Sequence, residues 1–288
     1  MGITVFKRKI YNEILEWKNN RSDKYALLIR GARRVGKSTI VEEFASKEFK
    51  SYIMLDFART SKDINSLFED LSSLDFFFLQ LQQLTGVRLY EQESVIIFDE
   101  IQLLPKARQA IKYLVADGRY KYIETGSLLS IRKNTKDILI PSEEHKIDMY
   151  PMDFEEFLWA IGDEVTADTI RILMKNKRPA GNAMHRSLMR IFRLYMLVGG
   201  MPQAVETYLA DNNLQAVDET KREIVDLYEE DFTKIDGTGL AGDVYDAIPA
   251  SLSGNASRYV LANARAGIKS EQMKELVPDM LSSYTVLI

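Results

Sequence analysis

Eight residues, Gly31-Ala-Arg-Arg-Val-Gly-Lys-Ser38, constrain this chain more than any other stretch. Two glycines with four residues between them, followed by Lys37 and Ser38, form a phosphate-binding P-loop, which requires a buried strand before it and a helix after it. Both are legible. The apolar run over 25–30 supplies the strand, and apolar residues at helical spacing continue over 39–46. In such a loop Gly31 and Gly36 let successive N–H groups turn toward one phosphate. The backbone from Arg34 through Val35 to Thr39 forms the cradle, Lys37 reaches the terminal phosphates, and the Ser38 hydroxyl is placed to ligate Mg²⁺.

The rest of the chain supplies strands and helices in alternation. Strands are expected over 51–56, 94–99, 120–125 and 145–150. Helical segments are expected over 61–84 and, behind Pro105, over 103–116. Such alternation predicts an α/β fold with a mostly parallel sheet covered on both faces. Phe76, Phe77 and Phe78, with Leu79 and Leu81, read as helix core. From Pro151 onward the pattern is almost wholly helical, with amphipathic stretches over 154–161, 184–197 and 201–211 and a breaker-rich loop over 175–182. The expected organisation is therefore a core over 1–150, a helical second domain over 151–235, and a glycine-marked linker opening a further segment over 236–288. Helices are expected in that segment over 244–252 and 269–281. Its apolar end, Thr285-Val-Leu-Ile288, reads as a cut through a longer domain.

Composition excludes several chemistries. With 288 residues and no cysteine, disulfides, thiol catalysis and thiolate metal sites are absent, and two isolated histidines cannot build a zinc centre. No apolar run reaches the roughly 20 residues of a membrane span, and the N-terminus lacks a signal-peptide layout, so the cytoplasm is expected. A net charge of −4 gives no general attraction to nucleic acid. No helix reads as a clear basic stripe, and the cluster 175–178 is short, so nucleic acid is allowed as a partner but unsupported by charge.

Beside a phosphate cradle, hydrolysis needs an acid to hold the metal and a base to polarise water. Asp99 and Glu100, at the end of the apolar strand 94–99, supply these: Asp99 for Mg²⁺ opposite Ser38, Glu100 as general base. Ser127, just past the next strand, is the candidate γ-phosphate sensor, with a helix N-cap as its plainer role. Arg33 and Arg34 either neutralise phosphate charge or sit in salt bridges. Arg119 and Arg132 are weaker candidates for that task. Gly199-Gly-Met-Pro202 is a rigid turn that can lay Pro202 against a purine.

Taken together, Gly31–Thr39, Ile96-Ile-Phe-Asp-Glu-Ile-Gln102, Thr125-Gly-Ser127, Met149-Tyr-Pro-Met-Asp-Phe-Glu-Glu-Phe-Leu158 and Val198-Gly-Gly-Met-Pro202 resemble a prokaryotic AAA-type ATPase family. Its members usually carry a C-terminal domain of unknown function. The resemblance implies an AAA-like P-loop NTPase core with a parallel five-stranded sheet of order 5-1-4-3-2, an all-helical lid, and Mg-ATP bound between them. It places Lys37, Ser38, Asp99, Glu100 and Ser127 on loop, metal, base and sensor positions, and likens Pro202 to a lid proline that touches adenine. It implies a switch or motor acting on its C-terminal domain, with homo-oligomers common in the wider group. A non-hydrolysing ATP- or ADP-binding adaptor is the alternative. A small-molecule kinase lacks a substrate-lid motif here, and GTP selectivity lacks an Asn-Lys-x-Asp.

Overall fold

Ala26–Arg30 (β1) is the hinge of the architecture, because an apolar strand buried at its first four positions must be paired on both edges and covered on both faces. In the computed structural model, which describes residues 4–127, 141–235 and 238–253 with scattered positions between 264 and 285, β1 pairs in parallel with two strands. These are Lys121–Gly126 (β4) and Glu144–Asp148 (β5). Ser94–Asp99 (β3) lies beyond β4, and Ser51–Asp56 (β2) forms the far edge, again in parallel. The order β2-β3-β4-β1-β5 is the expected 5-1-4-3-2 read from the other edge.

Ile10–Asn20 (α1) and Lys37–Glu48 (α2) cover one face, where Ile14, Trp17, Val41 and Phe44 pack under Leu27 and Ile29. Lys62–Ser66 (α3), Leu74–Thr85 (α4) and Pro105–Asp117 (α5) cover the other, an aromatic-rich core around Phe68, Phe77, Phe98 and Tyr122. The expected helix 61–84 is broken in two. Ser61 caps α3, the Asp70 carboxylate takes the Ser72 N–H at 2.9 Å, and Ser73 caps α4, so side-chain acceptors replace the helical bonds at 70–73. The all-core reading of the phenylalanine run is likewise corrected. At about 100° per residue three consecutive side chains cannot share one face. Phe77, Phe78 and Leu81 are buried, whereas Phe76 is 58% and Leu79 62% exposed.

Past the sheet the chain is helical: Phe154–Ala160 (α6), Thr166–Lys175 (α7), Gly181–Val198 (α8), Pro202–Asp211 (α9), Leu214–Ile235 (α10) and Leu240–Ser253 (α11). Asp153 and Glu156 form a reciprocal capping box that starts α6. Met152, Phe157, Val198, Ala204, Val205 and Val217 make a small core of their own. Packing does not break at 235, however: Ile224, Tyr228 and Phe232 of α10 and Leu240, Ala241 and Val244 of α11 join the α1–α2 core. Helix α11 begins at Leu240, and residues 236–237 of the expected linker lie outside the described set. Most of the expected helix 269–281 lies outside it as well.

The stripe-free reading of the helices is also corrected. On α8, Arg186, Arg190 and Arg193 fall at i, i+4 and i+7 and are all exposed; in sequence they are hidden among apolar neighbours. No described helix is long and apolar enough to cross a membrane.

One buried cluster sits under the sheet. Arg108 of α5 forks onto Glu144 at 2.8 and 2.9 Å, leaving Glu124 of β4 fully buried with neither carboxylate oxygen hydrogen-bonded among the described residues. Burial first, and the Glu144 charge second, push the Glu124 carboxyl well above the ordinary carboxylate range, so it is held protonated. Because the folded-state value is the raised one, stability is greatest below the unfolded carboxylate pKa and is lost as pH rises toward the folded value. Glu124→Gln is therefore expected to raise the melting temperature, with a margin over wild type that widens between pH 5 and pH 8 by up to about 1.4 kcal/mol per pH unit. Melting curves across that range check this; a margin independent of pH would contradict the protonated carboxyl.

Candidate functional site

The P-loop is held by a close backbone approach. A Cβ on Gly31 would lie 2.2 Å from the Met149 carbonyl oxygen, so only glycine lets β1 leave the sheet here, and the Met149 N–H donates to the Arg30 carbonyl at 2.7 Å. Arg34 (φ 67°) and Gly36 (φ 95°) take left-handed conformations that curl the loop into the start of α2. The Lys37 ammonium is buried and donates to the Gly31 and Ala32 carbonyls at 3.1 and 2.9 Å. Burial pulls its pKa down against the opposing pull of Glu100 and Asp99.

The carboxyl ends of β3 and β4 supply the acids. Ser38 Oγ donates to Asp99 Oδ1 at 2.7 Å, and Thr125 Oγ1 donates to the same oxygen. Glu100 sits at φ 55°, an uncommon conformation for a non-glycine residue, with its N–H donating to Thr125 Oγ1 at 3.3 Å. Its carboxylate accepts from Gln102 Nε2. Ser127, immediately beyond β4, lines the same cleft.

Helical residues close the other side. The cleft measures about 720 Å³ and brings Arg33, Arg34, Gly36, Lys37, Ser38, Thr39, Asp99, Glu100 and Ser127 together with Pro202 and Gln203. Gly31 and Val35 do not line it; the Val35 side chain is fully buried in the core beneath the loop. The glycine turn positions Pro202: Gly199 has φ 83°, and a Cβ on Gly200 would lie 2.1 Å from the Met152 carbonyl oxygen. Both loop arginines are engaged. Arg33 pairs with Asp231 of α10 at 3.1 Å, and Arg34 donates to Gln203 at 2.9 Å. Tyr228 Oη donates to the Arg33 carbonyl at 2.7 Å. Arg119 is tied to Asp117 and Asp75, away from the cleft, and Arg132 lies outside the described residues.

Sequence reasoning missed three residues. Thr125 was passed over for Ser127, although a polar residue at the end of a buried strand was the available signal. Asp56, opposite Asp99 in the β2–β3 register, also lines the cleft. Arg8 carries no sequence signal. It comes from before α1 and is buried, reaching the Val35 carbonyl at 2.9 Å, the Tyr150 carbonyl at 2.6 Å and Glu156 at 3.2 Å. It thereby ties the P-loop to the capping box of α6.

A parallel sheet of this order, a P-loop at the carboxyl end of its central strand and a helical cover define a P-loop NTPase fold. Residues 23–158 match the family described as "AAA domain", and residues 189–283 match a "Domain of unknown function (DUF8612)". Over residues 23–158 the chain thus matches an AAA-type P-loop domain. It is 23% identical over 193 residues to the uncharacterized protein MJ1637 of Methanocaldococcus jannaschii, an alignment covering 64% of this chain and 39% of that protein. The chain thus spans well under half the length of this curated relative. Among solved structures it is similar to the Walker-type ATPase PABY2304 of Pyrococcus abyssi, with TM-score 0.56 and 16% identity over 97% of this chain and 90% of that one. That likeness concerns the fold.

The Arg8–Glu156 pair makes a measurable claim. Arg8→Met would leave Glu156 buried and uncompensated and is expected to cost about 3 kcal/mol of stability. Glu156→Gln should recover part of that loss in the double variant. Denaturant titration of the two single variants and the double variant checks it, and strictly additive losses would mean the pair is not coupled.

Proposed function

We propose that this chain binds and hydrolyses ATP with Mg²⁺ in the cleft between the sheet and the helical lid. The observation that carries this reading is the shared hydrogen-bond cluster of Ser38, Asp99 and Thr125, with Glu100 next in the chain at the cleft surface.

The residues present fit the group. Mg²⁺ commonly takes only one or two protein oxygens and fills its remaining positions with water and phosphate; Ser38 Oγ and the Asp99 carboxylate offer such a pair. Among the described residues no cluster of three or more metal-binding side chains exists, so a site built wholly of protein ligands is not the alternative. When bound, the ion would neutralise phosphate charge. Lys37, drawn from its carbonyl partners, would hold the terminal phosphates, and the N–H groups of the loop would cradle them. Glu100, pinned by Gln102 and its own backbone bond, would take a proton from the attacking water as the bond between the γ-phosphorus and the bridging oxygen breaks. Ser127 would sense the γ-phosphate, and Pro202 would lie against the base. Arg33, released from Asp231, would stabilise charge on the transferring group. Because Asp231 lies on α10, that exchange would pass the nucleotide state to the lid and onward to the region after 236, as a switch or motor does. A cytoplasmic setting, where ATP and Mg²⁺ are at hand, suits this chemistry.

Mg-dependent phosphate release is the test, with Glu100→Gln as the paired variant and nucleotide binding verified for both. The expected outcome is turnover in the wild type, falling at least 100-fold in the variant while ATP affinity is retained. Turnover unchanged in Glu100→Gln would remove Glu100 from the base position.

One observation favours a second reading. Among the described residues, the cleft arginines Arg8, Arg33, Arg34 and Arg59 are all engaged with protein partners. A cleft with no spare arginine suits an ATP- or ADP-binding adaptor, or a homo-oligomer in which a neighbouring copy completes the site. Binding without turnover that becomes turnover at high protein concentration would select the oligomer.

A further inference from the structure

The lid segment from α7 through α8 has a charge pattern unrelated to the cleft. Between Thr169 and Val205 the chain has no aspartate or glutamate, although it carries a net charge of −4. In that span Arg171 is committed to Glu155 and Asp168. Six other cations remain, all exposed and none in an ion pair among the described residues: Lys175, Lys177 and Arg178 at the end of α7 and in the connection to α8, and Arg186, Arg190 and Arg193 along α8.

The three α8 arginines lie within about 60° of arc and span about 10 Å along the helix axis. Leu194, Tyr195 and Val198, on other sides of α8, pack into or against the lid core, and Tyr195 Oη donates to the Met152 carbonyl at 2.8 Å. The C-terminal half of α8 is thereby anchored in the lid core, and the ridge of three arginines stays exposed. Exposed cations with no acidic neighbour along 37 residues are self-repulsive, a cost that a polyanion relieves. The guanidinium fork suits phosphate oxygens in particular.

We propose that this ridge is a docking surface for the phosphate backbone of a nucleic acid. An anionic bilayer is the competing partner, since α8 also exposes Phe192, Met196 and Leu197, and the nucleic acid is preferred because three guanidinium forks in one row match phosphate oxygens. Base edges play no part in this arrangement, so binding is expected to depend on backbone charge and little on sequence.

The test is fluorescence anisotropy of labelled 30-nucleotide single strands and 30-base-pair duplexes, using the whole chain without nucleotide, between 50 and 200 mM salt. The wild type should bind with an affinity that falls steeply with salt. Substituting Arg186→Ser, Arg190→Ser and Arg193→Ser together should weaken binding at least tenfold at 50 mM salt and reduce the log–log salt slope by about 2 to 3. Replacing the same three by lysine should keep most of the slope, which separates charge from damage to the lid. Because the ridge lies outside the cleft, the serine variant should keep the melting temperature and any ATP turnover of the wild type, so this result is independent of hydrolysis. No binding to either oligonucleotide at 50 mM salt, or an unchanged slope in the serine variant, would overturn the proposal. So would binding to phosphatidylserine vesicles with none to oligonucleotides.

Discussion

The contact between Gly31 and the Met149 carbonyl governs more of this molecule than any other single approach. It lies where the strand feeding the phosphate loop and the chain leaving β5 for the lid pass one another with no room for a Cβ. Loop curvature, the direction of α2 and the entry to α6 are all set within a few residues of it. Arg8 reinforces the same junction from outside, bonding the Val35 carbonyl on one side and the Tyr150 carbonyl on the other. Nucleotide loop and lid are thus a single braced corner rather than two modules joined by a tether.

Around that corner, polar groups are satisfied in a graded way. At the cleft, Asp99 accepts from two hydroxyls and Lys37 donates to two carbonyls, an arrangement that keeps charged groups in place and leaves them exchangeable. Deeper, under the sheet, Glu124 has no hydrogen-bond partner among the described residues while Glu144 holds both teeth of the Arg108 fork. The contrast separates charged groups that keep polar partners at the cleft from a buried carboxyl whose surroundings favour its protonated form.

Much of this was legible in the chain because local rules and tertiary context agreed there. The strand–loop–helix signature over 26–48, the Asp99-Glu100 pair and the Gly199–Pro202 turn each need particular residue types at particular backbone positions. The sheet order came only with the family resemblance, since strand spacing does not encode which edges pair. Four things were hidden for physical reasons. Arg8 acts through long-range contacts, and nothing nearby marks it. The phenylalanine run was misread because hydrophobicity was counted without the helical wheel. The α8 arginines were missed because their regularity exists only every third and fourth residue, between leucines and methionines that draw the eye to packing. The packing of α10 and α11 onto the α1–α2 face likewise had no sequence mark separating it from that of an independent helical lid.

Helix α10 has a mechanical consequence. Its 22 residues measure about 33 Å, with Val217 near one end in the lid core and Ile224, Tyr228 and Phe232 in the sheet core. A rod whose flanks are buried in two different cores couples them, so the packing around Val217 and the packing around Phe232 cannot rearrange independently of one another.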